Sequence, residues 1–290
     1  MKTSTFQCGR YRLPIIRGGM PLIMGILNVT PDSFSDGGRF QSLESALSHA
    51  EQMMDAGVDI IDIGAESTRP GAKPLAVDEE LRRLLPIIFA LRDCGKPLSI
   101  DTRNPLVMAE ALAAGADMIN DVNGFRHVDA LTTVKDSDCG LCIMHMRNDP
   151  LTMQQNPVYT DVIGDVAAFL QERVDACHGA GIGIDRLCVD PGFGFGKSLT
   201  NNFDLLKAIP QLSALFNVPL LAGVSRKSMI GGLTGKTVQH RLAGSLGGAL
   251  AAAANGAAIL RVHDVAETID ALTVFLAGVS ATRQSAMPTL

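Results

Sequence analysis

Short apolar runs recur along the chain, and nearly every one ends on a polar residue. Leu22-Ile23-Met24-Gly25-Ile26-Leu27 is the first, and it stops at Asn28. A continuous apolar run of this length, bounded by turn formers, predicts a strand buried on both faces in a parallel sheet. The same pattern marks strands over residues 58–63, 97–100, 116–119, 141–144, 187–189, 219–222 and 257–260. Between them, residues 42–56, 78–91, 105–114, 128–135, 161–178, 202–215, 239–254 and 264–276 read as helices. Ser42 suits the N-cap of the first and Gly57 its stop, and Pro210 interrupts the sixth. Ahead of the first strand, residues 6–14 read as a short hairpin with Gly9 in its turn, placed to cover the bottom of the fold.

Strand and helix therefore alternate strictly, eight of each. The helix-to-strand joints also resemble one another: Ala56-Gly57-Val58-Asp59, Ala114-Gly115-Ala116-Asp117 and Asn255-Gly256-Ala257-Ala258. Strict alternation requires a parallel sheet, and eight units predict an α/β fold of the (β/α)8 TIM-barrel type. An open doubly wound sheet is the alternative, but no G-x-G-x-x-G follows the first strand.

Composition narrows the field. The 290 residues suit a single barrel, and no linker or charge block divides residues 1–290 into domains. A net charge of −5 argues against a general nucleic-acid binder. Residues 1–10 lack an apolar signal core, which makes the cytoplasm the expected location. Residues 242–260 are almost all small or apolar, but Asn255-Gly256 interrupts them, so a buried helix running into a buried strand is expected rather than a membrane span. The six cysteines are scattered, and Cys139 and Cys142 form a C-x-x-C without a second pair, which points to structural, reduced thiols.

In such a barrel the C-terminal strand ends form one mouth, where active sites lie. Here that ring would hold Asn28, Glu66, Asp101, Asn120, His145, Asp190, Lys227 and Arg261. Any strand end meets water, yet solvation alone does not place a polar group after nearly every buried run. Asp101, Asn120 and Asp190 offer acceptors suited to a flat heterocycle with adjacent N–H donors. Arg69, Arg226, Lys227, Arg261 and His263 suit a phosphorylated or carboxylate group. Two glycine-rich strings invite a P-loop reading and fail it: Pro191 and Ile230 stand where the first glycine belongs before Gly196-Lys197-Ser198 and Gly235-Lys236-Thr237. Val224-Ser225-Arg226-Lys227-Ser228 leads towards a helix, whose backbone N–H groups would face an anion.

These strings together resemble the dihydropteroate synthase family. Leu27-Asn28-Val29-Thr30-Pro31-Asp32-Ser33-Phe34-Ser35-Asp36-Gly37-Gly38 is similar to its first loop, and Glu66-Ser67-Thr68-Arg69-Pro70-Gly71 to its second. Asp190-Pro191-Gly192-Phe193-Gly194-Phe195-Gly196-Lys197 resembles the sixth. Ser225-Arg226-Lys227-Ser228 and Ile259-Leu260-Arg261-Val262-His263-Asp264 resemble the last two strand ends. The fifth loop departs from the family: Arg147-Asn148-Asp149-Pro150 stands where the family has a glycine-containing turn.

The resemblance implies a transferase of folate synthesis. It would condense 6-hydroxymethyl-7,8-dihydropterin diphosphate with 4-aminobenzoate, giving 7,8-dihydropteroate and diphosphate. It implies pterin contacts from Asp101, Asn120, Asp190, Lys227 and Arg261, with Arg261 and His263 near the diphosphate. Asn28 would help hold Mg²⁺ on the diphosphate. Phe34, Thr68, Pro70, Phe195 and Ser228 would shape the aminobenzoate pocket, which is the sulfonamide target, and Arg69 would be a further substrate-binding residue. Diphosphate would leave first, and Asp36 and Asp101 would stabilise the cationic methylene. The resemblance further implies a homodimer. Two other functions share the pterin contacts: a pterin-binding methyltransferase barrel, which would not need the first two loops, and a pterin-binding module without catalysis.

Overall fold

The computed structural model describes residues 3–16, 18–29, 39–66, 75–147 and 158–279. Phe34, Asp36, Thr68, Arg69 and Pro70 lie outside them. The chain opens with the antiparallel pair β1 (Thr3–Cys8) and β2 (Tyr11–Ile16), turned at Gly9 and Arg10. Gly9 takes φ +57°, the left-handed conformation that a two-residue hairpin needs.

Eight parallel strands follow: β3 (Leu22–Asn28), β4 (Ile60–Gly64), β5 (Leu98–Asp101), β6 (Met118–Asp121), β7 (Gly140–Met144), β8 (Leu187–Asp190), β9 (Leu221–Ala222) and β10 (Ile259–Val262). They pair in the order β8-β7-β6-β5-β4-β3-β10-β9, and a parallel bridge from Val189 to Leu220 brings the last beside the first. The barrel is closed, as the alternation predicts.

Around it run α1 (Arg39–Asp55), α2 (Val77–Leu91), α3 (Pro105–Ala114), α4 (Ala130–Val134), α5 (Val162–Gly179), α6 (Leu199–Lys207), α7 (Ile209–Leu215), α8 (Ser228–Thr234), α9 (Leu242–Ala254) and α10 (Val265–Val279). Three helix expectations need correction. The first helix starts at Arg39, so Ser42 lies inside it and is not its N-cap. The sixth segment is two helices that part at Ala208, and Pro210 sits in the first turn of the second, where a missing N–H costs nothing. The third is one of number: the helix towards which residues 224–228 lead is α8, a short helix ahead of the one expected at 239–254, and Gly231-Gly232 oppose its formation. Packing overrides propensity there. A Cβ on Gly231 would stand 2.2 Å from the Arg241 guanidinium, and one on Gly232 would stand 3.2 Å from Leu199.

Side chains alternate along each strand, one outwards to the helices and the next into the barrel. The outward set forms the large core with the helices, including Ile61, Ile63, Ile100, Ile119, Ile143 and Val189. The inward set changes character with height. Its lower layer is apolar: Met24, Ile60, Met118, Cys142, Cys188 and Ile259. Phe6 and Cys8 of the hairpin close that layer from below, both fully buried. Two residues further along β4, β6, β8 and β10 the inward position becomes polar: Asp62 follows Ile60, Asn120 follows Met118, Asp190 follows Cys188 and Arg261 follows Ile259. The barrel is thus sealed at its base and charged at its mouth. Among the described residues no helix is long and apolar enough to cross a membrane.

One ion pair fastens the seal. Arg10 in the hairpin turn donates through Nε to Asp117 Oδ1 at 2.9 Å and through Nη2 to Oδ2 at 3.1 Å. Asp117 is buried and also accepts the Leu98 N–H at 3.1 Å. Asp117→Ala leaves these donors unpaired, and should lower the unfolding free energy by about 1–3 kcal/mol. Urea denaturation measures the loss, and turnover at the opposite end of the barrel should be unchanged.

Candidate active site

The mouth is built on Asp62. This carboxylate is fully buried on β4 and accepts three hydrogen bonds. Ser99 Oγ donates to its Oδ1 at 2.6 Å. Asn120 Nδ2 and Arg261 Nε donate to its Oδ2 at 3.2 Å and 2.6 Å. The Asn120 amide is thereby oriented, with its NH₂ towards Asp62 and its carbonyl oxygen turned away. Arg261 reaches a second carboxylate, Asp101 Oδ2, at 2.8 Å. Asp101 Oδ1 is buried without a hydrogen-bond partner in the protein. A buried acceptor left open in this way suits a ligand donor.

Asp190 faces this group from β8. Its Oδ1 accepts the Gly192 N–H at 2.7 Å, which turns the chain sharply into the following loop. Lys227 comes from the segment before α8. It donates to the Phe193 carbonyl at 2.6 Å and lies 4.7 Å from the centre of the Phe195 ring. Phe195 is half-buried against Val122, Met144 and Met146.

Burial sets the protonation of these groups. It pushes Asp101 up to about 7, although Arg261 pulls the other way. It raises Asp190 as well, opposed by Lys227 and the Gly192 N–H. It lowers Lys227 to about 8, opposed by Asp190. Arg261 stays charged, because Asp62 and Asp101 outweigh the effect of burial.

The anion side lies beside this network. A cleft of about 650 Å³ is lined by Asn28, Glu44, His49, Gln52, Arg226 and His263 among others. His263 is held by Ser225, whose Oγ lies 3.1 Å from its Nδ1 and accepts its backbone N–H at 3.2 Å. Burial, with Arg261 and Arg226 nearby, lowers His263 to about 3, so the ring is neutral. Arg226 takes φ +55°, and its backbone is held on both sides: its N–H reaches Ser245 Oγ and its carbonyl accepts from Arg241. Its guanidinium is committed to Asp264.

Among the described residues no group of three His, Cys, Asp or Glu side chains could hold a metal. The donor chemistry nevertheless fits Mg²⁺ on a diphosphate. Asn28 is exposed at the end of β3 and offers a neutral oxygen, and Mg²⁺ bound through one or two protein oxygens plus substrate phosphate keeps several waters.

The pterin binding enzyme family matches residues 24–263. The dihydropteroate synthase of Neisseria meningitidis serogroup C is 48% identical over 276 residues, covering 94% of this chain and 96% of its own. The chain belongs to the dihydropteroate synthase family. Two solved structures of the family superpose closely. The Burkholderia cenocepacia dihydropteroate synthase complexed with 7,8-dihydropteroate has a TM-score of 0.87 at 48% identity, covering 96% of this chain and 98% of its own. The Xanthomonas albilineans dihydropteroate synthase with 4-aminobenzoic acid has a TM-score of 0.89 at 47% identity, covering 97% and 100%.

Set beside this family, the sequence reading divides. Asp101, Asn120, Asp190, Lys227 and Arg261 converge on one mouth, and Phe195 stands beside Lys227. Asn28 and His263 share the neighbouring cleft, and Ser228 is exposed at the start of α8. Two members of the expected ring turn out to be engaged elsewhere. Glu66 is paired with Arg103 at 2.9 Å. His145 is buried against Lys197 at 2.9 Å, and burial followed by Lys197 lowers it to about 2.

Asp62 was missed. It is embedded in the run 58–63, which is apolar but for Asp59 and Asp62, and a carboxylate between isoleucines is easily passed over; an acid at an inward strand position was the available signal. Asp62→Ala frees the Asn120 amide and leaves Arg261 with one carboxylate. Pterin affinity should fall about ten- to a hundredfold. Calorimetric titration tests this, and an affinity within twofold of wild type would contradict it.

Proposed function

We propose that this mouth condenses 6-hydroxymethyl-7,8-dihydropterin diphosphate with 4-aminobenzoate, releasing diphosphate and 7,8-dihydropteroate. The observation that carries the reading is the open, buried oxygen of Asp101 beside Asn120, Asp190 and Arg261. A pterin edge bears adjacent ring N–H and amino donors. Asp190 and the outward oxygen of Asn120 are the matching acceptors. Lys227 donates to the ring acceptors, and the Arg261 guanidinium, held flat by two carboxylates, stacks on the ring face.

The chemical step breaks the bond between the pterin methylene and the diphosphate oxygen, and then forms one from that methylene to the aniline nitrogen, which gives up a proton. Positive charge develops on the methylene as negative charge leaves. Asp101, with Asp36 from the first loop, stabilises the first, and Arg261 and His263 stabilise the second. Arg226, paired with Asp264, supports this end by fixing the loop. Mg²⁺ held by Asn28 would neutralise phosphate charge. Of the residues that the family resemblance gives to the aminobenzoate pocket, Phe195 and Ser228 lie among those described, and Phe34, Thr68 and Pro70 would complete it, with Arg69 a further substrate-binding residue. Leu233, Leu242 and Val274, exposed on three adjoining helices, supply apolar surface for a homodimer. The free cysteines suit a cytoplasmic setting.

Incubation with both substrates and Mg²⁺, followed by diphosphate release, tests the reading directly; no release would refute it. Asp101 must be ionised to act. Because burial holds it near 7 in the free protein, kcat/KM should fall towards tenfold per pH unit below that point. A flat profile from pH 5 to pH 8 would remove Asp101 from this role. A sulfonamide, which mimics 4-aminobenzoate, should compete with it in initial-rate kinetics. Noncompetitive inhibition would contradict the pocket assignment.

A further inference from the structure

Lys197 is a buried cation with no part in the reaction proposed above. Four acceptors surround its Nζ: the Gly192 carbonyl at 2.8 Å, His145 Nδ1 at 2.9 Å, the Phe195 carbonyl at 3.0 Å and the His145 carbonyl at 3.3 Å. An ammonium has three protons, so the protein itself saturates the group. Two of the acceptors lie just past the end of β7, and two belong to the loop that follows β8.

The two backbones touch at this point. Gly192 takes φ +72°, and a Cβ there would stand 1.8 Å from the His145 carbonyl oxygen. The His145 N–H donates to the Asp190 carbonyl at 3.0 Å where β8 ends, and beyond that bond the Lys197 ammonium bridges the two backbones. Elsewhere the loop is held differently: Gly194 donates to Asn202 at 2.6 Å, and Lys227 holds the Phe193 carbonyl. The Phe195 carbonyl is bound by Lys197 at 3.0 Å.

We propose that Lys197 is a positioning residue for the aminobenzoate side of the site, clasping the loop 191–197 to the end of β7 and so fixing the place of Phe195. This role rests on the function proposed above. The Phe195 ring packs against Val122, Met144 and Met146, and the Lys227 ammonium lies over it. A shift of its backbone would move a wall of the pocket and leave Asp101, Asn120 and Arg261 in place.

Lys197→Met keeps the bulk of the side chain and removes every donor. The KM for 4-aminobenzoate should rise at least tenfold. The KM for the pterin diphosphate and kcat at saturation should stay within threefold. His145→Phe keeps a ring beside Phe169, 5.0 Å away in the native protein, and removes one acceptor. The same KM should then rise two- to fivefold, which keeps the idea testable if the lysine variant is insoluble. An unchanged aminobenzoate KM in either soluble variant, whatever the melting temperature, would show the clasp to be merely structural and overturn the proposal. A loss confined to kcat would overturn it as well. Wild-type turnover is read in the same assay: an inactive wild type would overturn the proposed function too, an unchanged KM only the role of Lys197.

Discussion

Asp62 has no contact with water, and the mouth of the barrel hangs on it. One of its oxygens takes a serine hydroxyl, and the other takes both an asparagine amide and an arginine Nε. Removing such a charge from water is costly, and a buried ion pair seldom repays that cost in stability. What the arrangement supplies is orientation. A guanidinium held between two carboxylates has one plane, and an amide tied by its nitrogen presents its oxygen in one direction. A flat, hydrogen-bonding ligand requires both conditions before it arrives.

The same network separates two kinds of charge. On one side stand Asp101, Asn120 and Asp190, which accept; on the other stand Asn28, Arg226 and His263 around a cleft. Arg261 lies between, tied to the first group and close to the second. A substrate with a donor-rich ring and an anionic tail fits only one way round. His263 is neutral in the unliganded protein, so its contribution there is a hydrogen bond, and the fixed positive charge comes from the arginines.

The base of the barrel allows this concentration of charge at the top. Phe6 and Cys8 fill the interior from below, and the apolar layer above them excludes water from beneath the carboxylates. The effects of burial on Asp101, Asp190 and Lys227 follow from that dry floor. Removing any one donor or acceptor from so dry a site leaves its partner unpaired, and such losses are larger than those at the protein surface.

The eight buried runs and their polar ends were legible in the chain, because a parallel strand covered on both faces must be apolar throughout and must meet solvent at its end. That was enough to predict the barrel, the hairpin beneath it and a shared mouth, and the long loop strings were enough to suggest the family. The sequence did not reveal which polar ends serve the ligand. Glu66 and His145 occupy the same kind of position as Asp101 and Asn120, yet Arg103 and Lys197 engage them, and those partners lie 37 and 52 residues away. Asp62 was hidden for the opposite reason: it sits inside an apolar run, and only closure of the barrel brings Ser99, Asn120 and Arg261 to it. Helix α8 carries Gly231-Gly232 against its own propensity, and their missing side chains make room for Arg241 and Leu199. Hydrophobic periodicity is a local property, and one chain can carry it alone. The partner of a buried charge is fixed by closure of the barrel, and tertiary structure alone decides it.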